Sequence, residues 1–150
     1  MVNSIKDNMP KTPADALVQM KRRFHDYDLF LCYDHADKHA LKKLAVTLQL
    51  RGVLPWLDEW ELRADPLAQD MVRIKAAAVC VGQSGISPWQ DAALDAILHE
   101  FMRRGCPIIP LILPDCTHVP DLPDFLAGTP WVDFRLRDPN PFKLLVGQIQ

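Results

Sequence analysis

The sequence predicts an α/β fold, a flavodoxin-like doubly wound sheet of five parallel strands in the order 2-1-3-4-5. Three observations predict it. Apolar runs of strand length alternate strictly with segments of helical periodicity from Tyr27 onward, and that alternation implies parallel strands joined by right-handed crossovers. The alternation supplies five strands. A chain of 150 residues, 49% of them hydrophobic, is long enough to close one full core and fits a single domain.

The elements follow in order. Residues 1–11 are polar and read as disordered. Thr12-Pro13 can start a short helix through about Phe24, with Ala16, Leu17, Met20 and Phe24 on one stripe. Strand one is Tyr27 to Tyr33. A helix from Asp37 to Leu50 places Leu41, Leu44, Ala45 and Leu48 on its apolar face, with Gly52 as C-cap glycine. Val53 to Leu57 is strand two. A charged loop with Glu59, Glu61, Arg63 and Asp65 leads to a short helix over Pro66 to Ala76. Strand three is Ala77 to Val81. The next helix runs from Pro88 to Arg104, with Ser87 as its cap, Pro88 at its first position, and Leu94, Ile97, Leu98 and Phe101 inward. Pro107 to Leu113 is strand four, its prolines unusual for a central strand. A turn of helix near Leu122 to Ala127, strand five from Trp131 to Phe134 and a last helix from 139 to 150 complete the pattern.

The totals exclude several classes. A formal net charge of −2 gives no basic surface for nucleic acid. The cluster Lys21-Arg22-Arg23 is short and reads as a solvated helix face. No apolar run approaches the roughly 20 residues that span a membrane, and residues 1–25 show no apolar signal region. Cys32, Cys80, Cys106 and Cys116 form no CxxC pair and read as buried free thiols of a cytoplasmic protein. The five histidines show no metal-ligand spacing, so no metal is expected. Gly82-Gln83-Ser84-Gly85 is not followed by the GK[ST] of a phosphate-binding loop. Cys32 with His35 is a weak case for a nucleophile and base. A response-regulator receiver would need an acceptor Asp after strand three, where Cys80-Val81-Gly82 stands.

In an open sheet of this order, ligands bind at the carboxyl ends of the strands near the switch point. Strand one brings Tyr33, Asp34 and His35 there. Tyr33 and His35 suit a ligand's phosphates or base, while Asp34 and Asp37 also suit helix capping. Ser87-Pro88-Trp89-Gln90-Asp91-Ala92-Ala93-Leu94 opens the helix after strand three. Trp89 and Ala93 are four apart, so one helix edge carries both. Asp91 and Asp95, each two residues from Ala93, are expected on other faces.

Four stretches carry a family resemblance: Tyr27-Asp28-Leu29-Phe30-Leu31-Cys32-Tyr33, Val53 to Arg63, Trp89 to Asp115, and Thr129 to Arg135. In this order they resemble a bacterial TIR (Toll/interleukin-1 receptor) domain over most of the chain from about residue 26. The resemblance implies residues 1–25 as a disordered or helical extension and 26–150 as the TIR domain. It implies an NAD+-consuming immune effector of the hydrolase or cyclase type, with NAD+ as substrate or ligand and no cofactor. It implies homotypic TIR-TIR assembly and a fused or separate sensor domain. It also implies an assembly loop at Trp60, Arg63, Asp65 and Pro66, although the family's Pro-Gly turn is replaced by Leu62-Arg63-Ala64-Asp65-Pro66.

The family's catalytic Glu falls four residues after the helix-opening Trp, where this sequence has Ala93. Cleaving ribose from nicotinamide builds an oxocarbenium-like centre that a fixed carboxylate stabilises. Losing one such electrostatic group costs about 10²–10³ in rate. The resemblance therefore implies an NAD+ site, with substrate contacts at Trp89, Tyr33, Asp34 and His35, that is silent as written. An engineered Glu→Ala change and a natural pseudoenzyme both leave this residue, and a non-enzymatic scaffold is the alternative function.

Overall fold

A computed structural model describes residues 9–57, 71–85, 88–117, 124–126 and 128–149. The elements are α1 (Pro13–Arg23), β1 (Leu29–Cys32), a 3-10 turn (His35–Asp37), α2 (Lys38–Leu50), β2 (Pro55–Trp56), a 3-10 turn (Met71–Arg73), β3 (Ala76–Val81), a 3-10 turn (Pro88–Gln90), α3 (Ala92–Arg103), β4 (Ile108–Ile112), a 3-10 turn (Asp124–Leu126), β5 (Val132–Asp133) and α4 (Pro141–Ile149). The strands form one parallel sheet in the order β2-β1-β3-β4-β5, as the alternation requires. The register pairs Leu29 with both Pro55 and Ala76, Ala77 with Ile108, and Leu111 with Val132. Pro110 is tolerated in β4 because β5 pairs only with Leu111 and Ile112, leaving the segment at the proline without a β5 partner.

The two-residue period of the strands divides the core. Leu29 and Leu31 of β1 pack with Leu41, Leu44 and Leu48 of α2 and Leu145 of α4. Phe30 and Cys32 turn to the opposite face and meet Val18 of α1 with Leu98 and Phe101 of α3. Phe30 stacks on Phe101 with centroids 5.6 Å apart and tilts against Trp56 at 5.5 Å. Each fully buried Leu, Ile or Phe stabilises by about 1.5–3 kcal/mol, so helices on both faces are the main source of stability. The buried face of α2 consists of the four residues that the periodicity selects, Leu41, Leu44, Ala45 and Leu48.

The first helix departs from the sequence reading. Its side chain at Val18 is buried, whereas Leu17, Met20 and Phe24 stay exposed. The reason lies one turn further on. Asp28, at the start of β1, is 4% exposed and accepts a hydrogen bond from Leu54 N at 2.8 Å. Its charge is met by Lys21 Nζ at 2.7 Å and Lys75 Nζ at 3.3 Å. Lys21 also donates to Gly52 O at 3.0 Å. Bringing Lys21 to this carboxylate sets the rotation of α1, and that rotation turns Val18 inward and the expected stripe outward. Lys21 is thus part of the internal structure rather than of a solvated basic face. Thr12 caps α1 through its Oγ1, which accepts from Asp15 N at 3.0 Å. Gly52 follows α2 with φ at +84°, a conformation that glycine adopts without strain.

A second buried carboxylate ties the strand ends together. Asp37 occupies the N-cap position of α2 but makes no cap hydrogen bond with its side chain. Its Oδ1 accepts from Ser84 N at 3.0 Å and its Oδ2 from Ser84 Oγ at 2.6 Å. This contact needs Gly82, because a Cβ there would lie 2.7 Å from Asp37 Oδ1 and 2.9 Å from Leu113 Cδ1.

Two outcomes are expected in chemical denaturation. Asp28→Ala should cost about 3 kcal/mol, because it strips the anion from two lysines and the acceptor from Leu54 N. Gly82→Ala should cost about 1–3 kcal/mol through forced displacement of a pinned carboxylate. A midpoint unchanged in either variant would contradict the corresponding contact.

Candidate functional site

The carboxyl end of β1 leads into a short turn whose residues serve two sides of the molecule. Asp34 accepts from Ala36 N at 2.9 Å through Oδ1, which fixes the 3-10 turn His35–Asp37. Tyr33, Asp34 and His35 line one cavity, of about 410 Å³, and Asp37 lines another, of about 880 Å³. The smaller cavity is completed by Phe30 and Trp56 from the sheet and by Asp91, Ala93, Leu94 and Ile97 from the start of α3.

The structure therefore brings Tyr33, Asp34, His35 and Ala93 together, and the Ala93 side chain is exposed. It does not bring Trp89 with them. The sequence reading begins one continuous helix at Pro88, but Pro88–Gln90 is a separate 3-10 turn and α3 starts at Ala92. Trp89 and Ala93 consequently do not share a helix edge. Trp89 packs against the cluster of Val81, Ile112 and Cys116 and against the one that holds Phe30, Cys32 and Trp56, and is not among the lining residues. The indole in the wall is Trp56 of β2, a core residue that is 4% exposed.

The break has an identifiable cause. Asp91 is extended and caps α3, its Oδ1 accepting from Ala93 N at 2.9 Å and Leu94 N at 3.1 Å. Ser87, the expected cap, lies outside the described residues. Asp competes equally with Ser at this position, and the run Ala92 to Arg103 behind Asp91 holds neither Pro nor Gly, which is the signal that marks it. Asp91 was expected to face away from position 93. Instead it lines the same cavity, because a cap residue is not yet on the helical spiral.

The electrostatics of the cavity follow from these contacts. Both its carboxylates give an oxygen to backbone N–H groups of the following element, so they fix local structure. The first N–H groups of α3 are satisfied by Asp91 and are not offered to an anion. At position 93 there is only a methyl group. Burial pushes the Cys32 thiol up to about 12, with the Asp91 carboxylate adding to the shift. Cys32 is fully buried, so it is no partner nucleophile for His35. Burial likewise raises Cys80, beside Cys32 and Asp37. Among the described residues no group of His, Cys, Asp or Glu is placed to hold a metal ion. The expected assembly loop, Trp60, Arg63, Asp65 and Pro66, lies outside the described residues.

A five-stranded parallel sheet of this order, with a cleft between the end of β1 and the start of the helix after β3, defines an open α/β domain with a crevice at its switch point. The family model described as "TIR domain" matches residues 29–146, and the chain belongs to the TIR domain family. The fold is similar to the crystal structure of the TIR domain of the Toll-related receptor TRR-2 from Hydra magnipapillata. The two share 18% identity, with a TM-score of 0.62 over 82% of this chain and 98% of that one. No curated protein matches the chain. Among the described residues no helix is long and apolar enough to cross a membrane.

The four cysteines are free, with Cys32, Cys80 and Cys116 buried and Cys106 half-buried. A thiol reagent at neutral pH should therefore modify Cys106 first in the native chain. Mass spectrometry of the labelled peptides checks this, and labelling of Cys32 at a rate similar to that of Cys106 would contradict it.

Proposed function

We propose that this chain is a TIR signalling domain of the bacterial, NAD+-consuming type whose cleft is silent toward NAD+ as written. It acts in the cytoplasm, within an immune effector, by homotypic association with other TIR domains. The observation that carries the reading is the position of Ala93, exposed in the wall of a cavity that also holds Tyr33, Asp34 and His35.

The chemistry follows from the residues present. Tyr33 and His35 supply polar contacts for a nucleotide at the end of β1, and Trp56 and Phe30 supply ring surface. A carboxylate extended from position 93 would enter the same space and meet the positive charge that develops on ribose as nicotinamide departs. Ala93 offers none. Asp91 does not replace it, because its Oδ1 is held by the N–H groups of Ala93 and Leu94. Binding without turnover is the consequence, and association with other TIR domains is the function that remains.

Ala93→Glu tests this. The variant should release nicotinamide from NAD+ at about 10²-fold or more above the chain as written. Nicotinamide is common to hydrolysis and cyclisation, so the readout does not depend on the product. An Ala93→Glu protein with an unchanged circular dichroism spectrum and no release, even when assembled at high concentration, would remove the NAD+ part of the reading and leave the scaffold.

A further inference from the structure

The larger cavity, of about 880 Å³, takes no part in that reading. It lies between α2 and α4, on the other face of the sheet, and has the volume of a small-molecule site. One wall is a stripe along α2 and its C-cap: Lys43, Thr47 and Arg51 recur every four residues and line the space together. The opposite wall holds Phe134, just after β5, and Phe142, in the first turn of α4. These rings stand edge to face with centroids 4.9 Å apart. The Arg51 guanidinium lies over the Phe142 ring, 4.0 Å from its centroid.

The charges of the lining are unequally used. Asp37 is spent on Ser84. Lys43, Arg51 and Arg137 line the cavity and meet no carboxylate among the described residues. Asp115 also lines it, and its Oδ1 is shut off from solvent with no hydrogen-bond donor among the described residues. A buried oxygen left in this way costs free energy that a donor would recover. Asp115 is only partly buried and its side chain belongs to the cavity lining, so its carboxylate is an acceptor at the site.

We propose that this groove is a second ligand site, for a small organic anion that carries a planar ring with an N–H donor and a phosphate, the chemistry of a nucleoside monophosphate. The ring packs against Phe134 and Phe142. The phosphate is taken by Lys43 and Arg137, whose ammonium and guanidinium suit it. The ring's amino group donates to Asp115. The site is separate from the Ala93 cleft and does not depend on the fate of NAD+ there.

The test titrates the whole chain with AMP, and with adenosine and inorganic phosphate as its two parts, by calorimetry and amide NMR. AMP should bind saturably with Kd of about 1 mM or tighter. Shifts should centre on Thr47, Arg51, Phe134 and Phe142, and each part alone should bind more weakly. Lys43→Glu and Arg137→Glu change exposed side chains and should keep the fold while weakening AMP by about 10-fold or more each. Four results would overturn the proposal: no saturation by about 10 mM, shifts centred on Tyr33, His35 and Leu94, charge reversals without effect, or phosphate alone binding as well as AMP.

Discussion

The molecule is organised around one buried carboxylate. Asp37 stands at the start of α2, yet both its oxygens reach across to Ser84 in the loop after β3. That contact joins the carboxyl ends of β1 and β3, the two neighbouring strands from which the chain winds in opposite directions. A sheet of this order opens a crevice there by topology. Asp37 ties the two strand ends together, and Gly82 permits the approach by carrying no Cβ. The two cavities lie on either side of this contact, one beginning at Tyr33 and the other at Asp37 itself. A three-residue turn therefore decides which side chains serve which cavity.

Asp28 plays the matching part at the other end of β1. A carboxylate that is 4% exposed would be expensive without partners, and it has an N–H donor and two ammonium groups. One of these comes from α1, so the helix ahead of the family's matched residues is fastened to the sheet by charge as well as by Val18. The exposed Leu17, Met20 and Phe24 are the consequence of that fastening. Hydrophobic periodicity alone would have turned them inward.

Much of the candidate site was legible, and its failures share one cause. Tyr33, Asp34 and His35 follow a recognisable strand in a recognisable strand order, so their arrival at the crevice is topological. Ala93 reaches the same cavity because α3 packs Leu98 and Phe101 on the sheet and so sets its own first turn against β1. Trp89 and Asp91 lie elsewhere than helical spacing from Ala93 places them, because the helix has not yet begun at either residue. One extended residue at Asp91 changes the direction of everything ahead of it, which sends Trp89 over β3 and β4 and brings Asp91 into the wall. Helix starts are decided by competition among several good caps, and the sequence offers both Ser87 and Asp91.

The sequence by itself determined the layer order, the parallel sheet, the inward face of α2 and the alanine at position 93. These depend on periodicity and on residue identity, which are local and readable. The tertiary structure alone decided that Lys21 is internal, that Asp37 bridges two strands rather than capping its helix, and that Trp56 rather than Trp89 lines the cleft. It also decided that a second, cationic groove exists between α2 and α4. These depend on partners outside any one helix or strand, seven residues away for Lys21 and Asp28 and 47 for Asp37 and Ser84. The energy of such a contact is set by the distance and burial that packing imposes, and no pattern along the chain encodes either.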